Sequence, residues 1–168
     1  GYGALANQNF SSATDSHNTA VGYLAGNDIT TGVRNTIVGS LAGDALTDAG
    51  SNVAIGYNSL TANTSASDNV AVGRGTLENF NVTSTTSTYN VAVGHEAGND
   101  ITTGIQNTLI GGLVGDALTT GKEQVAVGYN ALSAETNGHA STAIGYEALL
   151  SQNGAGATNV YNVALGYH

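Results

Sequence analysis

Asn69-Val70-Ala71-Val72-Gly73 is one of nine similar stretches spread along this chain of 168 residues. In each stretch, β-branched or aliphatic side chains at the second and fourth positions flank a third position that is most often Ala. This is the period of two that a β-strand imposes on its side chains. The Gly that closes every stretch suits a tight corner or the close approach of another backbone. Each stretch therefore predicts a short strand that ends at a turn.

The stretches recur at regular intervals, which divide the chain into coils. They begin at Asn18, Asn35, Asn52, Asn69, Asn90, Asn107, Gln124, Ser141 and Asn162, at spacings of 17, 17, 17 and 21 residues that then repeat. A four-coil block of 72 residues thus occurs twice, over residues 18–89 and 90–161, between partial coils at 1–17 and 162–168. Asn18–Leu46 and Asn90–Leu118 match at 20 of 29 positions, which indicates duplication. We interpret residues 1–168 as a single repeat region and expect it to be a fragment of a longer fibre.

The repeat predicts an all-β fold in which successive coils stack. A unit of 17 residues cannot bury its own apolar face, so we expect a parallel β-solenoid or β-roll of about ten stacked coils, each with two short strands and two turns. The second strand is expected at runs such as Ile29-Thr30-Thr31-Gly32. In-register stacking would align the Asn side chains in a column, each amide donating to the next: Asn18, Asn35, Asn52, Asn69, Asn90, Asn107 and Asn162.

Composition excludes several classes of partner. The chain has 24 Gly but no Pro, Cys, Met or Trp, and 12 acidic residues against three basic ones give a net charge of −9. An acidic chain without a basic patch has no electrostatic footprint for nucleic acid and is repelled by anionic membranes. The sequence shows no apolar run long enough to span a bilayer. We expect neither nucleic acid nor a membrane to bind this segment.

No residues recur in a pattern that predicts catalysis or a cofactor, so we expect no enzyme activity. The four His residues occupy different coil phases, apart from His95, which replaces Tyr23 at the equivalent position. Hard oxygen ligands that suit Ca²⁺ recur at one corner of both blocks and are weak metal candidates: Asn27, Asp28, Asp44, Asn99, Asp100 and Asp116. Ordinary turn chemistry is the favoured explanation of these residues.

Two further features are candidate ligand contacts. The 21-residue coils carry extended loops at residues 79–86 and 151–158, where contact with a ligand or an attached glycan is expected at Asn79, Asn81, Thr83, Thr85, Thr86 and Asn153. These loops could instead be inert spacers. Tyr residues also recur directly after the corner Gly, at Tyr23, Tyr57, Tyr129, Tyr146 and Tyr167. They either stack on sugars or, as we favour, cover the corner and pack on Leu60, Leu132 or Leu149.

The repeated motif resembles the head repeats of trimeric autotransporter adhesins and related repeats in bacteriophage fibres. The resemblance covers essentially the whole chain and rests on strings such as Asn-Thr-Ala-Val-Gly-Tyr (18–23), Asn-Val-Ala-Ile-Gly-Tyr (52–57) and Ser-Thr-Ala-Ile-Gly-Tyr (141–146). It implies a left-handed parallel β-roll, a side-by-side homotrimer and binding to host surface proteins or other cells. Coils in that family are usually shorter, so the additional residues are expected to extend the outer turn.

The function expected from these observations is that of an extracellular fibre segment. One hypothesis is a bacterial surface adhesin or appendage stalk, in which repetition supplies length and rigidity and the loops contact host protein or glycan. The alternative is a segment of a bacteriophage tail or receptor-binding fibre on the virion. An ice-binding solenoid ranks last, because the second strand position alternates irregularly between Thr and Val and forms no repeated Thr-x-Thr face.

Overall fold

The structure, a computed structural model, describes residues 1–154, 156 and 159–168. Those residues form nine strands of three residues each: β1 (Thr19–Val21), β2 (Thr36–Val38), β3 (Val53–Ile55), β4 (Val70–Val72), β5 (Val91–Val93), β6 (Thr108–Ile110), β7 (Val125–Val127), β8 (Thr142–Ile144) and β9 (Val163–Leu165). The strands make one parallel sheet in chain order. The predicted all-β parallel solenoid is confirmed.

The strands pair in register at equivalent coil positions. Ala54 pairs with Ala71, and Ala71 pairs with Ala92 across the first 21-residue coil. The four additional residues therefore leave the sheet undisturbed and lie in the return path of the coil. The partial coil at the N-terminus stacks in the same way, because the backbone N–H of Leu5 donates to the carbonyl of Ala25 at 3.1 Å.

Each coil contains one strand, so the prediction of two strands per coil was wrong. The run Ile29-Thr30-Thr31-Gly32 forms bends, although its backbone still bonds to the next coil, as from Thr30 N–H to the Thr47 carbonyl at 2.9 Å. The return path turns through left-handed backbone conformations, which break a strand. The residue before each Asn position illustrates this, with φ near 60° at Arg34 and Gln106.

The core lies between the sheet and the return path and is filled by complementary side-chain sizes. The third strand position points inward and is usually a buried Ala, but it is Ile37 in β2 and Leu109 in β6. At those levels the return path carries Gly: a Cβ on Gly26 would lie 2.8 Å from Cδ1 of Ile37, and one on Gly98 would lie 2.8 Å from Cδ1 of Leu109. Large and small residues thus alternate between the two walls, as close packing requires.

Candidate functional surfaces

The outward side of the sheet is the largest apolar surface that recurs in every coil. We call it the sheet face and define it as the second and fourth positions of β1–β9. Fourteen of its eighteen residues are Val, Ile or Leu, and the remaining four are Thr19, Thr36, Thr108 and Thr142. Inner strands alternate half-buried, buried and half-buried, with Ala71 beneath Val70 and Val72. The β-branched side chains therefore point away from the protein's own core.

This orientation corrects the interpretation of the Ala positions. Their small side chains were expected to suit close packing against another layer or chain. Ala54, Ala71 and Ala92 are instead fully buried in the protein's own core. If another chain packs on this sheet, it meets the β-branched residues.

The Asn column lies inside the coil wall, where its side chains hold the backbone together. Asn35, Asn52, Asn69, Asn90 and Asn107 are fully buried, whereas Asn18 and Asn162 lie at the two ends and are more accessible. The Oδ1 of each inner Asn accepts the backbone N–H of the equivalent residue in the next coil, as from Asn107 N to Asn90 Oδ1 at 3.0 Å. Its Nδ2 donates across its own coil, as from Asn107 to the Gly121 carbonyl at 3.0 Å. The expected donation from one amide to the next is found in the described residues only from Asn69 to Asn52, at 3.1 Å.

Gln124 and Ser141 replace Asn in the column, and Gln124 reproduces the Asn contacts. Its Oε1 accepts the backbone N–H of Ser141 at 2.8 Å, and its Nε2 donates to the Gly138 carbonyl at 2.5 Å.

The Ca²⁺ candidates already have protein partners and do not converge. Asp44 accepts a hydrogen bond from Thr61 Oγ1, and Asp116 accepts one from Ser133 Oγ at 2.5 Å. Asp28 and Asp100 accept from side-chain amides one coil earlier, the latter from Asn79 at 3.3 Å. Asn27 and Asn99 donate to the backbone carbonyls of Gly3 and Gly75. Within the described ranges, no group of three or more His, Asp or Glu side chains is placed to hold a metal ion.

The two long loops differ in how much of their surface is open. Thr83, Thr85 and Thr86 are exposed, whereas the side-chain oxygen of Asn81 accepts the hydroxyl of Thr64 at 3.0 Å. Asn153 similarly accepts the hydroxyl of Thr136 at 3.0 Å. Ala155, Ala157 and Thr158 of the second loop lie outside the described residues. The open part of the first loop is therefore its Thr-rich segment.

Sequence reasoning missed a column of hydroxyls on the return path. Thr30, Thr47, Thr102 and Thr119 each donate to the carbonyl of the next Thr in the column, at 3.1 to 3.3 Å. The signal was present in the sequence, because Thr, Thr, Thr and Asn follow one another at this position in both blocks, ending at Asn81 and Asn153. These hydroxyls join coils, which takes their protons out of reach of an external ligand.

A buried carboxylate was also missed. Glu135 occupies a core position filled by Ile29, Leu46 or Phe80 in other coils and is fully buried. Its Oε1 accepts the backbone N–H groups of Gly138 at 2.7 Å and Gly154 at 3.0 Å, and its Oε2 accepts Gln152 Nε2 at 3.0 Å. Burial raises the pKa of Glu135, but these hydrogen bonds outweigh it and leave the pKa below its usual value. The site is a carboxylate saturated by internal donors.

The Tyr side chains of the corner column stack on one another and are about half-exposed. Tyr146 stacks on Tyr129 at a centroid distance of 5.7 Å and on Tyr167 at 5.1 Å. At the other end, Tyr2 stacks on Tyr23 at 5.8 Å. The rings thus form an external ladder along the axis, and their principal partners are each other.

Comparisons with protein-family profiles, with curated proteins and with solved structures return no match to this chain. Among the residues that the structure describes, no helix is long and apolar enough to cross a membrane.

Proposed function

We propose that this chain is a segment of an extracellular structural fibre, in which stacked coils supply length and rigidity. The sheet face supports this proposal most directly. It combines an uninterrupted apolar surface with a strand register that no coil breaks. Eight strand spacings of about 4.8 Å make it about 38 Å long. Continuous apolar surface on this scale marks an interaction site in soluble proteins.

The partner we propose for the sheet face is a second copy of this chain. The face is periodic, with a row of two outward side chains at every strand spacing. A partner must match that period to bury every row, and another copy of the same solenoid does so by construction. The face also carries no charged residue, so copies can approach without burying unpaired charges. The resemblance to trimeric adhesin heads suggests three chains side by side.

Within this proposal, the fibre belongs to a bacterial surface adhesin or appendage stalk and carries no catalytic site. The exposed Thr83, Thr85 and Thr86 occur once per block at equivalent positions on the fibre and are the loop residues best placed to contact a host protein or glycan. A phage tail fibre on the virion is the alternative role for the same architecture.

Light scattering and electron microscopy of the purified chain test the proposal. We expect a mass three times the 16.7 kDa of one chain and rod-shaped particles. A mass of one chain across a wide concentration range would contradict self-association, and globular particles would contradict a role in supplying length.

A further inference from the structure

The ladder of aromatic rings is interrupted twice. The ring column consists of the residues that follow the corner Gly of each coil: Tyr2, Tyr23, Ser40, Tyr57, Arg74, His95, Gly112, Tyr129, Tyr146 and Tyr167. Where Tyr residues are adjacent in the column, their planes differ by only 10° to 21°. Ser40 and Gly112 each leave one rung without a ring, and they lie 72 residues apart, in the second coil of each block.

The rings beside these gaps turn their faces toward them. Tyr23 already stacks on Tyr2 with one face, so its other face looks along the column toward Ser40. Tyr129 similarly stacks on Tyr146 with one face. A Cβ placed on Gly112 would lie 3.5 Å from Cδ2 and 3.8 Å from Cε2 of Tyr129, so the ring covers the Gly112 backbone. A ring face is therefore available at each missing rung.

The dimensions of the gap fit one ring. Two strand spacings of about 4.8 Å separate the rungs on either side, which places a centred guest about 4.8 Å from each. That separation approaches the 5.1 to 5.8 Å between rings that do stack in this column. The flanking rings are open to solvent, with Tyr23 at 52%, Tyr57 at 49% and Tyr129 at 47% exposure.

We propose that each gap binds one ring of a neutral pyranose sugar. The C–H face of a pyranose is apolar and stacks on an aromatic face, while its hydroxyl groups stay in the water that reaches this open edge. The net charge of −9 favours neutral rings over acidic ones. Ser40 adds a hydroxyl that forms no hydrogen bond within the described part of the chain.

Two gaps on one rigid column also favour a polymeric ligand. Four strand spacings separate Ser40 from Gly112, or about 19 Å along the axis. An extended oligosaccharide that reaches both gaps would bind with an avidity that a single ring lacks. The inference concerns the ring column alone, so it stands or fails separately from association through the sheet face.

Filling the gaps tests the proposal. Saturation-transfer NMR would compare the wild-type chain with the double variant Ser40→Tyr/Gly112→Tyr, with methyl β-D-glucopyranoside and methyl β-D-galactopyranoside as probes. The matched control is Ser40→Ala/Gly112→Ala, which leaves both gaps open and places the new methyl group at Gly112 in ordinary contact with Tyr129. A second variant, Tyr57→Leu/Tyr129→Leu, removes a wall of each gap without filling it.

We expect transfer to at least one sugar in the wild type and in the Ala control, and a reduction of about fivefold in both the filled and the wall-less variants. Circular dichroism checks the fold of each variant, and light scattering its mass. Three results would overturn the proposal: no transfer to either sugar in the wild type, undiminished transfer in the filled variant, or an altered mass in the filled variant with unchanged sugar transfer. The last result would assign the gaps to a second copy of the chain.

Discussion

The backbone N–H of Asn52 donates to the Oδ1 of Asn35 at 2.9 Å, and both side chains are fully buried. The Nδ2 of Asn35 donates in turn to the carbonyl of Ala49 at 2.9 Å. One side chain therefore joins two coils and also ties together the two ends of its own coil. This double role explains why Asn recurs at the first position of the repeat, since both backbone groups would otherwise be buried without partners.

Replacing Asn35 with Leu should destabilise the fold strongly. The change keeps the side-chain volume but leaves the Asn52 N–H and the Ala49 carbonyl unpaired, which should cost about 2–4 kcal/mol of unfolding free energy. Urea denaturation at fixed protein concentration measures it. Thr36→Val, at the neighbouring outward position, is the control and should change stability by less than about 0.5 kcal/mol. Equal effects of the two changes would show that the column does not hold the coils together.

Two adjacent glycines should respond oppositely to substitution by Ala. Gly111 has φ 143°, and an added Cβ would collide with the carbonyl oxygen of Gly128 in the next coil. Gly112 has no such backbone constraint and only ordinary contacts with Tyr129. Gly111→Ala should therefore cost at least about 2 kcal/mol, and Gly112→Ala should be nearly neutral. Thermal unfolding of the two variants decides the matter, and similar melting temperatures would contradict the in-register corner.

The stability that Glu135 contributes should fall in acid. Its pKa is lowered on folding, so the ionised form favours the folded state at neutral pH, and that contribution disappears as the pH falls through the lowered pKa. Glu135→Gln keeps the shape but loses the charged acceptor, and should cost about 1–3 kcal/mol at neutral pH.

The difference between Glu135→Gln and the wild type should shrink in acid, because the wild-type carboxyl is then protonated too. Urea titrations at about pH 7 and about pH 2.5 compare the two proteins under both conditions. Asn63 occupies the equivalent position of the first block and is also buried, so Asn63→Gln serves as a control without a titrating group. A constant difference between Glu135→Gln and the wild type would argue against the bound carboxylate.

The fold was largely predictable, because the repeat states its period directly. Val70, Ala71 and Val72 show the alternation of a strand, and the Gly that follows marks the corner. The return path was not predictable in the same way, since its left-handed residues include Leu24, Leu60 and Arg34, which seldom adopt positive φ. Neighbouring coils impose that conformation through inter-coil hydrogen bonds, which a local pattern does not reveal. The direction of the sheet face was missed for a related reason: alternation identifies two faces but does not say which one is buried.

A charge on the sheet face should prevent self-association. Val72 and Val93 are paired neighbours on inner strands and point outward, so Lys can replace them without entering the core. We expect Val72→Lys/Val93→Lys to remain folded by circular dichroism but to have the mass of one chain by light scattering, because burying two unpaired ammonium groups is costly. Thr83→Lys/Thr85→Lys on the exposed loop is the matched control and should keep the mass of the assembly. An unchanged mass in the sheet-face variant would exclude that face as the contact.

The distance between Thr31 and Thr120 tests most directly whether the chain is a rigid rod that lengthens by one strand spacing per coil. Both residues are exposed and occupy the same coil position, and the chain contains no other Cys that would react with a label. Thr31→Cys/Thr120→Cys would carry spin labels for pulsed dipolar spectroscopy, diluted with unlabelled chain to suppress contacts between copies. Five spacings of about 4.8 Å predict a single narrow distribution centred near 24 Å, widened only by the label linkers. A broad distribution, or one centred far from that value, would contradict the stacked solenoid and the structural role proposed for it.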